Sequence, residues 1–117
     1  MAAPVRLAVL LSGGGSSLQN LLDRIAAGRL DAAVSVVVSS KPDAHGLERA
    51  RRAGIPALAV PRKAYPDPQA YDDALHAALE PYDVDLVVLA GFLSLFHPRQ
   101  RFAGRVLNIH PALIPSF

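Results

Sequence analysis

The chain has no cysteine, no tryptophan and a single methionine in 117 residues. Without thiols, disulfides, zinc–thiolate sites and thiol catalysis are excluded. The four histidines are too dispersed for a histidine metal cluster, so no metal is expected. An excess of one charge is also missing. The formal net charge is +2, and the basic residues are scattered rather than striped, so no nucleic-acid partner is indicated. Long apolar runs are absent as well. Leu7-Ala8-Val9-Leu10-Leu11 follows Arg6 but stops at Ser12 and three glycines, too short for a secretory core or a membrane span. No membrane partner is expected, and the default location is cytoplasmic. What remains is 51% apolar and 19% charged, a composition that argues for one folded domain rather than disorder.

The domain reads as strands alternating with helices. Val5 to Leu11 is a short apolar run, as for a strand buried on both faces. Ser16 to Ala27 is helical, with Leu18, Leu21, Leu22 and Ile25 on one face and Gly28 as its stop. Ala33 to Ser39 is a second strand, and Ala44 to Ala53 a second helix stopped by Gly54. Pro56 to Val60 is a weaker strand, placed at a sheet edge by its proline. Pro61 to Pro68 is a loop, Gln69 to Leu79 a third helix, and Val84 to Ala90 the strongest strand. Gly91 to Gly104 is a loop with one or two helical turns, and Arg105 to His110 is the last strand. Such alternation predicts an α/β protein, a three-layer α/β/α sandwich with a parallel sheet in the order 3-2-1-4-5. Ligands bind such sheets beyond the carboxyl ends of the strands, where the order reverses. Ser12, Gly91 and His110 end the three strands that flank that point.

Two groups of residues there can carry chemistry. Ser12-Gly13-Gly14-Gly15-Ser16-Ser17 joins the first strand to the first helix. Glycines let the backbone approach an anion, and a helix N-terminus offers free N–H groups and the positive dipole end. Gly14, Gly15, Ser16 and Ser17 are therefore candidates for a phosphate. The run is neither the dinucleotide fingerprint nor a P-loop, because the G-x-G-x-x-G spacing and the following lysine are both missing. A mononucleotide or sugar phosphate fits better. Asn108 and His110 lie two apart in the last strand and project to one face. An amide and an imidazole side by side can polarise a carbonyl oxygen and move a proton. His45, His76 and His97 read as surface or local capping residues, and Glu48, Arg49, Arg51 and Arg52 as a solvated helix face. Arg62-Lys63 is a basic pair able to steer an anionic ligand.

These motifs together resemble one family. Leu11-Ser12-Gly13-Gly14-Gly15-Ser16-Ser17-Leu18-Gln19-Asn20-Leu21 is similar to the opening of the phosphoribosylglycinamide formyltransferases, the folate-dependent enzymes of purine synthesis. The segment from Ser40 to Ala50 resembles their second-strand exit. Asp85 to Phe92 and Leu107-Asn108-Ile109-His110-Pro111-Ala112-Leu113-Ile114-Pro115-Ser116-Phe117 resemble their fourth strand and catalytic strand. The last two motifs also resemble formyltetrahydrofolate hydrolases and methionyl-tRNA formyltransferases. The glycine-serine opening favours the purine enzymes. The resemblance implies a Rossmann-like formyltransferase fold and transfer of a formyl group from 10-formyltetrahydrofolate to the amine of glycinamide ribonucleotide. It implies Gly15, Ser16 and Ser17 at the ribonucleotide phosphate. It puts Leu93, Ser94, Leu95 and Phe96 against the folate pterin, Asn108 at the formyl-bearing donor, and His110 as proton donor. The alternatives are a hydrolase or another folate-dependent formyltransferase, or a non-catalytic nucleotide-phosphate-binding remnant.

Two positions depart from the family pattern: Ser94 and Pro68 stand where members commonly carry arginine. The family also continues past Phe117, with a catalytic aspartate and further strands. Residues 1–117 are thus expected to be an N-terminal formyltransferase-like domain, truncated before the last strands and inactive alone. Its last strand would present an open edge for self-association.

Overall fold

The computed structural model describes residues 3–109. The strands are β1 (Val5–Leu11), β2 (Ala32–Ser39), β3 (Ala57–Ala59), β4 (Leu86–Ala90) and β5 (Val106–Ile109). The helices are α1 (Ser16–Ala26), α2 (His45–Arg52) and α3 (Pro68–Leu79). All pairings are parallel and the order is β3-β2-β1-β4-β5, as the alternation of elements predicts. Order reverses between β1 and β4.

The valine and leucine runs form strands because both sheet faces are covered. On one face Ala8, Leu10, Val36, Val38 and Val87 pack with Tyr71, Leu75 and Leu79 of α3. On the other, Leu7, Val9, Leu11, Val37 and Val88 pack with Leu18 of α1 and Leu47 and Ala50 of α2. This is the expected three-layer sandwich. Most element ends differ from the sequence reading by a residue or two, as helix and strand ends usually do. The start of α3 has a clear cause. Asp67 accepts a hydrogen bond from the Ala70 N–H (2.8 Å) and Pro68 takes the first helical position, so the helix begins one residue before Gln69. A single 3₁₀ turn, Arg62–Ala64, interrupts the expected proline loop.

The crossover from β4 to β5 differs more. It holds turns but no regular helix among its described residues. Phe96 and Phe102 are buried from it into the α3 face and do the covering that a helix would otherwise do. β5 pairs with β4 through Val87↔Val106 and Leu89↔Asn108. It is the last strand among the described residues, and Leu107 is 50% exposed.

Near the amino ends of the strands, Asp85 accepts from the Arg6 backbone N–H (2.9 Å) and faces the Arg6 guanidinium (3.3 Å). These two contacts, the backbone bond first, hold the Asp85 carboxyl below its ordinary value. A lowered carboxyl stabilises the fold above the unfolded pKa, and that contribution is lost as pH falls through the folded value. Asp85→Asn should therefore leave the protein less stable near neutrality but flatten its acid-side decline below about pH 4. Urea unfolding midpoints for both proteins across that range give the measurement, and parallel curves would contradict the assignment.

Candidate functional site

Three loops leave the carboxyl ends of β1, β2 and β4, and one buried serine joins them. Ser12 Oγ accepts the Leu93 N–H (2.9 Å) and shares a hydrogen bond with Ser40 Oγ. Ser40 in turn donates its N–H to the Leu11 carbonyl (3.1 Å). Of the strand ends expected to converge at the reversal, those of β1 and β4 are joined by the Ser12–Leu93 bond; the β2 loop joins them through Ser40, and the His110 end of β5 lies outside the described residues. Neither Ser12 nor Ser40 was singled out from sequence as a link between loops. A hydroxyl at the end of a buried strand is the only local sign of such a role.

The first loop is the glycine run. Gly15, not a serine, is the N-cap of α1, in the left-handed region at φ 78°, with no side chain capping the helix. Neither Ser16 nor Ser17 takes the capping role that their types allow. Ser16 is exposed, and the buried Ser17 Oγ has no hydrogen-bond partner among the described residues. A hollow of about 100 Å³ lies here, lined by Gly13, Gly14, Gly15, Ser16 and Ser17 together with Ala90 and Gly91. Uncapped helix N–H groups, an orphan hydroxyl and the positive dipole end are the groups with which a helix start can receive an anion.

The neighbour of this loop is α2, and here the sequence reading needs correction. Glu48 and Arg52 pair on the surface (3.3 Å), as a solvated face should. Arg49 does not belong to that face. Its Nε donates to the Gly14 carbonyl (2.8 Å) and a terminal nitrogen to Gln19 Oε1 (3.3 Å). Gly46 lies one turn earlier, against the same loop, and its N–H donates to the Gly13 carbonyl (3.1 Å). The available signal was a glycine in the first turn of a helix, an unfavourable place unless another backbone must come close.

The β4 loop presents two adjoining clefts. One, of about 820 Å³, lies between Lys41, Arg62, Lys63, Leu93 and Ser94. The other, of about 300 Å³, lies between Arg62, Pro68, Tyr71, Leu93, Ser94 and Leu95. Leu93 and Leu95 are 76% and 70% exposed, an unusual apolar display for leucine. Phe96, grouped with them by resemblance, turns inward and stacks on His76 with ring centroids 4.6 Å apart. It holds the loop from beneath. Tyr71 donates its hydroxyl to the Val60 carbonyl (2.8 Å), and burial pushes its phenol up to about 12, so it stays protonated. Arg62 lies over the Tyr71 ring at 5.4 Å and donates to the Tyr65 carbonyl (3.1 Å).

Asn108 is exposed in β5, on the same sheet face as its neighbour Leu89 and as Val106, the face that carries the β4 loop. His110, its expected companion, lies outside the described residues. Of the remaining histidines, His45 and His97 are exposed as expected, whereas His76 is not a surface residue: its ring is largely buried against Phe96 and Phe102. His45 starts α2, and His76 Nε2 lies 2.6 Å from the His97 carbonyl. No group of three or more potential metal ligands occurs among the described residues, and none of their helices is long and apolar enough to cross a membrane.

A parallel sheet reversing at a glycine-rich loop, beside an apolar loop and a strand-end amide, defines a class. The formyl transferase family pattern matches residues 5–117, and the chain belongs to that family. Among curated proteins it is 43% identical over 114 residues to the phosphoribosylglycinamide formyltransferase of Haemophilus influenzae, covering 96% of this chain and 54% of that one. It is 41% identical over 114 residues to the human trifunctional purine biosynthetic protein adenosine-3, covering 96% of this chain and 11% of that protein. Among solved structures, glycinamide ribonucleotide transformylase 1 from Symbiobacterium toebii superposes with a TM-score of 0.86 at 48% identity, over 100% of this chain and 56% of that one. The chain spans about half the length of the single-activity relatives it matches.

Proposed function

We propose that this chain provides the ribonucleotide site and part of the donor site of a phosphoribosylglycinamide formyltransferase. The reaction moves a formyl group from 10-formyltetrahydrofolate to the amine of glycinamide ribonucleotide, a step of purine biosynthesis. The observation that carries this reading is the Ser12–Leu93 hydrogen bond, which joins an anion-ready glycine loop to a ligand-sized cleft lined by Leu93 and by the cations of Lys41, Arg62 and Lys63.

In this reading Gly14, Gly15, Ser16 and Ser17 hold the phosphate of the ribonucleotide. Leu93, Ser94 and Leu95 border the folate, and the exposed leucines suit a flat aromatic group. Phe96 supports them from the core. The donor supplies an activated formyl carbon. Amine attack there builds negative charge on oxygen and positive charge on nitrogen, so a donor amide and a proton-transferring imidazole are the groups required. Asn108 supplies the amide, and the Asn-x-His spacing assigns the imidazole to His110. A cytoplasmic location and self-association through the outer edge of β5 belong to the same proposal.

Titration calorimetry tests it with two ligands, glycinamide ribonucleotide and a reduced folate. Binding of both is expected, with the ribonucleotide lost in Ser17→Val and the folate retained. Ribonucleotide binding without folate binding would favour a phosphate-binding module. No binding of the ribonucleotide at low salt would overturn the reading.

A further inference from the structure

The glycine loop is held from behind, and the holding residues determine where its amides point. Gly13 and Gly14 each have their carbonyl oxygen engaged by α2: Gly13 by the Gly46 N–H (3.1 Å), Gly14 by Arg49 Nε (2.8 Å). In a planar trans peptide the C=O and the following N–H point in opposite directions. Fixing the Gly13 carbonyl on α2 therefore turns the Gly14 N–H away from α2. Fixing the Gly14 carbonyl does the same for the Gly15 N–H. Neither amide donates to another described group, so both are available to the hollow that Gly13 to Ser17 line with Ala90 and Gly91.

Glycine is otherwise the worst residue for this task, because three in succession have the largest conformational freedom to lose. Arg49 offsets that freedom. Its guanidinium is itself fixed by Gln19 Oε1 (3.3 Å), and Gln19 is fixed by donating to Asp23 Oδ1 (2.9 Å). Arg49 makes no ion pair among the described residues, so its charge is not spent on a carboxylate. We infer that Arg49 is a positioning residue for phosphate recognition. It pre-sets the Gly14 and Gly15 amides toward the anion without touching it. The inference rests on the phosphate reading of the glycine loop given above.

A brace and a bare charge make different predictions. Lysine keeps the charge but lacks the planar Nε and terminal nitrogens that reach Gly14 and Gln19 together. Arg49→Met should weaken glycinamide ribonucleotide by about tenfold, the scale of lost preorganisation, and Arg49→Lys should recover little of it. Folate affinity should not change in either variant. In the ligand-free protein, NMR order parameters of the Gly14 and Gly15 amides should fall in both variants while those of β1 stay constant. Wild-type affinity in Arg49→Met, full rescue by Arg49→Lys, or unchanged order at Gly14 and Gly15 would each overturn the inference. Absence of ribonucleotide binding by the unmodified protein would instead remove the phosphate reading, and the order parameters would still decide the brace.

Discussion

Alanine at position 15 should abolish ribonucleotide binding and destabilise the fold by about 3 kcal/mol, the sum of left-handed strain and overpacking. Gly15 sits at φ 78°, where a Cβ meets its own carbonyl, and that alone costs roughly 1–2 kcal/mol. The added Cβ would also lie 2.6 Å from the Cα of Gly46 and 3.2 Å from Cδ of Arg49. The first contact is with backbone in α2, which cannot rotate away as a side chain can. Loop and helix must separate, and the carbonyl bonds from Gly46 and Arg49 go with them. Gly28 provides the control. It has a similar φ of 74° with nothing within 4 Å of its would-be Cβ. Gly28→Ala should show only the strain, about 1 kcal/mol, with binding intact. Thermal unfolding and calorimetry on the two variants make the comparison. Equal behaviour of the two would mean that the approach of α2 does not shape the anion site.

Sequence and structure agree where one local rule dominates. The runs at Val36 to Val38 and Leu86 to Leu89 are buried on both sides, so continuous apolar sequence was enough to read them as central strands. Alternation with helices then dictated parallel pairing, and handedness limited the orders available. The glycine loop and Asn108 were legible for the same reason, since each stands at a strand end on the side where such sheets bind ligands.

What was not legible depends on partners distant in sequence. Arg49 stands among Glu48, Arg51 and Arg52, and charge alone groups all four on a solvent face. Helical geometry separates them: Arg49 is three residues after Gly46 and shares its face, toward the glycine loop, whereas Glu48 pairs outward with Arg52. The loop after β4 has no period to read, because Phe96 and Phe102 are placed by the α3 face rather than by their neighbours. Resemblance groups Phe96 with Leu93, Ser94 and Leu95, yet Phe96 alone of the four lines neither cleft.

Asp72 is the most hidden of these residues, and its loss should rank with that of Gly15. It lies on α3 with its side chain 3% exposed, a rare position for a carboxylate unless it is partnered. Its oxygens take the His97 N–H (2.9 Å) and Arg99 (2.8 Å), with His76 Nε2 and His97 Nδ1 each at 3.7 Å. Arg99 is the one non-glycine residue with positive φ among the described residues, at 56°, so the ion pair holds strained backbone in place. The β4 loop is thereby tied down at its far end, as Ser12 ties it at Leu93. Asp72→Ala leaves the part-buried His97 N–H without its acceptor and Arg99 with only the exposed Asp73, and should cost about 2–3 kcal/mol. In a chain of this size that lowers the unfolding midpoint by roughly 10 °C. Asp73 also pairs with Arg99 but is exposed, where solvent screens the pair, so Asp73→Ala should shift the midpoint far less than Asp72→Ala. The two ligands separate position from stability. Below the melting range, Asp72→Ala should weaken the folate severalfold, because Leu93 and Leu95 lose their fixed display. The ribonucleotide should bind as before, since the glycine loop is held by α2. Equal weakening of both ligands would make Asp72 a stability residue only, and an unchanged folate affinity would show that the loop keeps its shape without it.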